Sequence, residues 1–305
     1  MARDPMFPLA GPTVEKGAIT IDMMLNEPTR IDNYAARLVE RDLLSKVIFG
    51  NVTTSGGALL FDQLVKNKPT ATDKPGVVAP GAEFPILHTP DGEPVVERVK
   101  KTGGKFGITD EARIRNDATL LQRKISQVSN TMVKDLDERG IAALNAAIKA
   151  VEGSLEVTSS GWDKAAEVQA SAKTAKTGEG EIVNNLLDAQ LAVEQTDLGY
   201  TADTLVLNPV DAKNLKLVLG VGNYAEMLTT FGLTLHTTNA MKQGEGLVLQ
   251  AGMVGVMGVE SPISTETWRD AATQTTWSQT WATVAFGVTD PLAMVKLSGL
   301  STPKE

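Results

Sequence analysis

The longest regular pattern in the chain is helical. Apolar residues recur at Leu121, Ile125, Val128, Met132 and Leu136, three or four positions apart, behind a capping Asn116 or Asp117. The stripe resumes after Gly140 with Ile141, Leu144 and Ile148. This predicts a helix over 119–149, roughly 45 Å long at 1.5 Å per residue, more than twice the usual globular length. The heptad register slips at Gly140, so a free coiled coil fits the pattern less well than one long packed helix. A shorter stripe at Tyr34, Leu38, Asp42 and Leu43 predicts a helix over 32–47 behind an Asp32 cap.

The second half alternates helical and strand patterns. Ile182, Leu186, Leu187 and Leu191 mark an amphipathic helix over 181–194, and Thr204 to Asn208 reads as a buried strand. Pro209 then opens a helix to Leu219, proline being favoured at a first helical position. Strands are expected at 233–237, 246–250, 254–259, 276–288 and 293–297, the last two separated by the Asp290-Pro291 turn. Residues 153–180, rich in Ser, Thr, Ala, Lys and Gly, are expected to be an exposed connection. The class is α+β.

Two stretches have no business in a lone compact subunit. Residues 1–30 carry Pro5, Pro8, Pro12 and Pro28 without helical period, which predicts an arm held by a neighbouring copy. Residues 52–61 read as a turn and a strand, and Pro69, Pro75, Pro80, Pro85, Pro90 and Pro94 follow within 67–94. Proline at that density blocks helix and removes sheet donors, leaving a stiff extended excursion. The alternation from Pro94 to Lys101 brings the chain back as a strand, so 52–107 is expected to be a long projecting hairpin that reaches for a partner.

Composition narrows the function. Hydrophobic residues make up 42% and charged residues 22% of the 305 positions, which predicts a folded protein. No run approaches the length of a membrane span, and Met1-Ala2-Arg3-Asp4-Pro5 lacks the apolar core of a signal peptide, so a soluble chain made in a cytoplasm, with no membrane partner, is expected. Cysteine is absent, which removes disulfides, thiolate nucleophiles and Cys-based metal sites. The net charge is −8, and 151–200 alone carries 3 basic against 9 acidic residues. Tight direct DNA binding requires the opposite sign.

The candidate chemistry is thin. Gly220-Val221-Gly222-Asn223-Tyr224-Ala225 fits the form of a dinucleotide-binding turn, but a helix is expected before it and Lys242 stands near the position where an acid should meet the ribose. Gly103-Gly104-Lys105 resembles the end of a phosphate-binding loop, with Phe106 in place of Ser or Thr, and is expected to be a turn. His88, in the proline-rich stretch, and His236, on a strand, lack any motif partner. Asp135, Asp137 and Glu138 with Lys134 and Arg139 suggest a solvated helix face rather than a metal site. Trp268, Trp277 and Trp281 are expected in core or interface. No catalytic, cofactor-binding or metal-ligating residue is assigned, no cofactor is expected, and the chain reads as a non-enzyme.

Ser55-Gly-Gly-Ala-Leu-Leu-Phe61, Pro80-Gly-Ala-Glu-Phe-Pro85, Lys100-Lys-Thr-Gly-Gly-Lys-Phe-Gly-Ile-Thr-Asp-Glu-Ala112 and Val288-Thr-Asp-Pro-Leu-Ala-Met-Val295 resemble stretches of major capsid proteins from siphophages infecting actinobacteria. The order of arm, hairpin, long helix, α+β domain and returning strands resembles the Hong Kong 97 fold of tailed bacteriophages. The resemblance implies an N-terminal arm (1–50), an E-loop (51–107), a P-domain (108–180 and 263–305) built on a spine helix near 119–149, and an A-domain with a central sheet (181–262). It further implies a major capsid protein forming hexamers and pentamers, through arm, E-loop and A-domain loops, of an icosahedral head around double-stranded DNA. The DNA would be contacted only weakly, and the virion, assembled in the bacterial host cytoplasm, would be the protein's location. With no extra domain ahead of the arm, a separate scaffolding protein is expected, together with a portal protein. Some relatives cross-link a loop lysine to an asparagine; Lys66, Lys68 and Lys74 lie in the corresponding loop, but no partner motif follows and no cross-link is expected. An encapsulin-like compartment, which shares the fold and encloses cargo enzymes, is the alternative.

Overall fold

The computed structural model describes residues 43–63, 71, 73–88, 93–115, 118–150, 155–171, 177–220 and 222–302. The arm over 1–30, Lys66, Lys68 and most of the helix expected over 32–47 lie outside them. The elements run α1 (Ser45–Ile48), β1 (Gly50–Thr53), β2 (Ala58–Gln63), β3 (Glu93–Arg98), β4 (Lys100–Thr109), α2 (Asp110–Ile114), the spine helix α3 (Ala118–Ala150) and β5 (Glu156–Thr158). There follow α4 (Trp162–Ser171), α5 (Thr177–Glu194), β6 (Thr204–Leu207), α6 (Pro209–Leu219), α7 (Tyr224–Thr230), β7 (Thr234–Thr237), β8 (Glu245–Leu249), β9 (Val256–Asp270), β10 (Thr275–Gly287), a 3-10 turn (Pro291–Ala293) and β11 (Met294–Ser298). The chain forms two compact units, and it passes from one to the other inside three continuous elements: α3 at Leu136, β9 at Gly258 and β10 at Val284.

The first unit holds β4, α2, the N-terminal part of α3 and most of β9 and β10. The strands lie in the order β9-β10-β4, and β10 pairs antiparallel with β4 from Thr275↔Thr109 to Val284↔Lys100. One sheet face carries the buried Thr276, Ser278, Thr280 and Ala282. The spine's apolar stripe is buried in the same unit at Leu121, Ile125, Met132 and Leu136. The Lys124 ammonium donates to the Gly107 carbonyl, and a Cβ on Gly104 would stand 3.7 Å from Val128. The spine therefore runs along the buried side of this sheet.

The second unit is built on a five-stranded sheet ordered β5-β11-β8-β6-β7, in which β8 alone runs antiparallel. Its core joins Leu205, Leu207, Val248, Val295 and Leu297 from the strands to Ile182, Leu186, Ala189 and Val193 of α5 and Leu215 and Val218 of α6. Strand β6 is buried at every position, so its sequence is a continuous apolar run without alternation. The return strand β11 sits between β5 and β8, in the sheet that also carries the strands of 181–262.

Three expectations change. The exposed connection expected over 153–180 instead contains β5 and α4, with Trp162 wholly buried; apart from Trp162 and Val168 the sequence of α4 is small or polar, which is why its composition imitates a loop. The strand expected to end at 259 continues to Asp270, because its outer half buries threonine rather than aliphatic side chains, as at Thr265. The hairpin expected over 52–107 closes sooner. Strands β2 and β3 pair from Ala58↔Arg98 to Gln63↔Glu93, whereas β4 leaves the hairpin to pair with β10.

Candidate assembly surfaces

The hairpin projects from a fixed base. The Gln63 side-chain amide donates to the Val288 carbonyl at 2.9 Å, and Phe61 and Leu59 lie so close to Gly287 that a Cβ there would meet them within 2.6 and 2.9 Å. Beyond the base, 73–88 has no helix or strand. Pro80 and Gly81 form a turn closed by Ala82 N–H donating to the Ala79 carbonyl at 3.0 Å, with Gly81 at φ 87° as a type II turn requires. The His88 ring and backbone N–H both meet Asp73 Oδ2, at 2.7 and 3.2 Å, and these bonds hold the Asp73 carboxyl below its usual range. His88 thus has a partner that no motif announced. Val77, Phe84 and Ile86 are 107%, 80% and 80% exposed, which leaves large apolar side chains in water on a segment with no core of its own.

The outer face of the first unit's sheet follows a repeating rule. Trp281 lies opposite Gly103 and Trp277 opposite Gly107, and the ammonium groups of Lys101 and Lys105 sit 4.8 and 4.9 Å from the centres of the two indoles. Gly103-Gly104-Lys105 is therefore the middle of a strand, not the expected turn. A side chain at Gly103 would collide with the Thr280 carbonyl and Trp281, so the glycine makes room for the indole. Trp268, 38% exposed, lies on this face by strand alternation from Thr265, whose hydroxyl meets that of Thr280 at 2.9 Å on the other face.

Asp137 is not on a solvated helix face. It is buried, and its Oδ1 accepts from the Ser45 N–H and hydroxyl, both at 2.9 Å, while Oδ2 accepts from Leu44 N–H at 3.4 Å. Leu44 has no side-chain cap of its own, so the spine supplies one for α1. Burial nevertheless pushes the Asp137 carboxyl up, against those hydrogen bonds. Gly140, one turn on, admits α1, since a Cβ there would stand 2.6 Å from Ser45 Oγ. The heptad slip in the sequence is this contact. Arg139 lies 5.8 Å from the Phe286 ring.

The turn at Gly220 follows a helix. Gly220 ends α6 with φ 83°, so the strand that a dinucleotide cradle needs in front of it is replaced by α6, whose own start is capped by Asn208 Oδ1 accepting from Val210 N–H at 2.9 Å. His236 lies on the edge strand β7, and burial lowers its pKa. Asp211 accepts from Gly244 N–H at 2.8 Å and from the Ser301 hydroxyl, and Asp163 accepts from Thr302 N–H at 3.0 Å, so two acids fasten the segment after β11. Among the described residues no group of acids and histidines is placed to hold a metal, and no helix is long and apolar enough to cross a membrane.

A family model for phage capsid protein matches residues 92–297, which includes β3, β4, the spine, helices α4 to α7, strands β5 to β10 and most of β11. The chain belongs to the phage capsid protein family. No curated protein sequence matches it. Solved structures resemble it in fold at low identity. The virus-like particle from Pyrococcus furiosus covers 89% of this chain and 100% of its own, with TM-score 0.58 and 13% identity. A Mycobacterium phage Bobi structure covers 88% and 91%, with 0.56 and 14%. The capsid of cyanophage P-SCSP1u covers 85% and 89%, with 0.58 and 14%. The α+β Hong Kong 97 type expected from the sequence is the fold of this phage capsid protein, and the chain is a capsid shell subunit, a structural protein.

Proposed function

We propose that this capsid protein forms the hexamers and pentamers of a closed icosahedral phage head, with the 58–98 hairpin as a tie between subunits. The observation that carries this reading is the exposure of Val77, Phe84 and Ile86 on a proline-stiffened segment. A neighbouring copy is the economical cover, because assembly multiplies each modest contact by the number of neighbours. In the same reading the spine and its sheet form the P-domain, the region around 181–262 with its five-stranded sheet forms the A-domain, and the N-terminal arm is a second tie. The packaged cargo is double-stranded DNA held without a tight grip, in keeping with the net charge of −8. A scaffolding protein assists assembly in the host cytoplasm, and a portal protein occupies one vertex.

The test replaces Phe84 and Ile86 with Asp in the full chain and follows assembly by analytical ultracentrifugation. A folded subunit that sediments only as small species agrees with the hairpin as a tie. Shells at normal yield would show that the hairpin's apolar residues serve something else.

A further inference from the structure

The second unit carries two exposed apolar strips that no described element of the subunit covers, and they have opposite charge. On α5, the side chains Ile182, Leu186, Ala189 and Val193 fill the core, which leaves Leu187 and Leu191 outside at 44% and 50% exposure, flanked by the exposed Asp188 and Glu194. Leucine at i and i+4 on the solvent side of a helix is a ridge rather than a scatter. On α6, Ala212, Leu215 and Val218 fill the core, and Leu217 is 48% exposed. It lines an open groove of about 290 Å³ with Pro209, Ala212, Lys213, Lys216 and Thr237, and the Lys216 ammonium is held 5.3 Å from the Tyr224 ring.

The ridge and the groove also lie towards different ends of one sheet. Helix α5 lies over β11 and the edge strand β5, and the groove is bounded by Thr237 on the opposite edge strand, β7. A surface pair of this kind, acidic at one end and basic at the other, does not match itself under a two-fold axis. It matches the next copy in a head-to-tail ring. Opposite charges around an apolar contact also set the register and disfavour wrong pairings.

We propose that the α5 ridge of one subunit seats in the α6–β7 groove of the next copy, and that this heterologous contact closes the rings of the shell. The proposal rests on the shell-subunit reading given above. Leu191 and Leu217 form the apolar centre, with Asp188 and Glu194 facing Lys213 and Lys216.

The absence of cysteine from the chain makes a clean test. Leu191→Cys and Leu217→Cys are made singly and together in the full chain, assembled, and treated with a short bifunctional maleimide. The double variant is expected to give a ladder extending beyond the dimer on a denaturing gel, which only a head-to-tail contact produces. Each single variant is expected to give none. A companion set reverses the ridge (Asp188→Lys with Glu194→Lys), the groove (Lys213→Glu with Lys216→Glu), or both. Either reversal alone is expected to lower the assembled fraction about tenfold or more through like-charge contact, with circular dichroism of the subunit unchanged, and the combined reversal to recover it. Assembled particles with no ladder or with dimers only, or charge reversals that assemble normally, would overturn the contact while leaving the shell reading intact. A wild-type chain that forms no particles removes both.

Discussion

Asp137 shows how one side chain changes meaning between sequence and structure. Read along the helix it is one of a charged group, Lys134 to Arg139; in the fold it is buried and holds the start of α1 through the backbone of Leu44 and Ser45. Asp137→Ala strands these donors and is expected to cost about 1–3 kcal/mol, measured by chemical denaturation of the subunit. Its folded pKa is raised by burial above the ordinary 3.8. The folded state therefore binds this proton more tightly than the unfolded chain, and the associated stability is fully present below the ordinary value and lost as pH rises through the raised one. Asp137→Asn keeps an acceptor for Ser45 and is expected to flatten that part of the stability profile between the two values; an unchanged profile would contradict the account. Nothing in the local pattern distinguished Asp137 from Asp135 or Glu138, because its partners lie 92 and 93 positions away.

At the scale of elements, the spine was the most legible feature. Its 33 residues need an apolar stripe along their whole length, and a long periodic signal outweighs single exceptions such as Gly140. Strand β6 and helix α6 were equally plain, the first from its apolar run and the second from Pro209. What the pattern hid were elements with no apolar stripe to announce them: α4, whose sequence after Trp162 is mostly small or polar, and the outer half of β9. The pairing of the Lys101-x-Gly103 and Lys105-x-Gly107 repeats with Trp281 and Trp277 was hidden for another reason, since the partners are far apart in sequence although both halves of the rule are visible there. Leu136 is 2% exposed where the spine leaves the first unit. Leu136→Asp buries a charge without a partner, and is expected to cost about 3 kcal/mol or more and to abolish particles; soluble, assembling Leu136→Asp protein would show that the spine is not packed as described.

At the scale of the molecule, charge and exposed surface point the same way. A net charge of −8 leaves little to neutralise phosphates, so duplex DNA is expected to bind the subunit weakly, with a log K against log salt slope shallower than about −2, equivalent to roughly two phosphates neutralised. A steep slope from a titration by fluorescence anisotropy would reveal a basic surface that the composition conceals. An acidic net charge and a projecting hairpin with exposed apolar side chains suit a container that binds its own copies more strongly than its cargo, as proposed above. Electron microscopy of the chain expressed alone and together with the scaffolding protein proposed above tests that claim most directly. The account predicts closed polyhedral shells with six-fold and five-fold rings resolved in the lattice, and a protein that stays monomeric or stacks into rods under both conditions would contradict it.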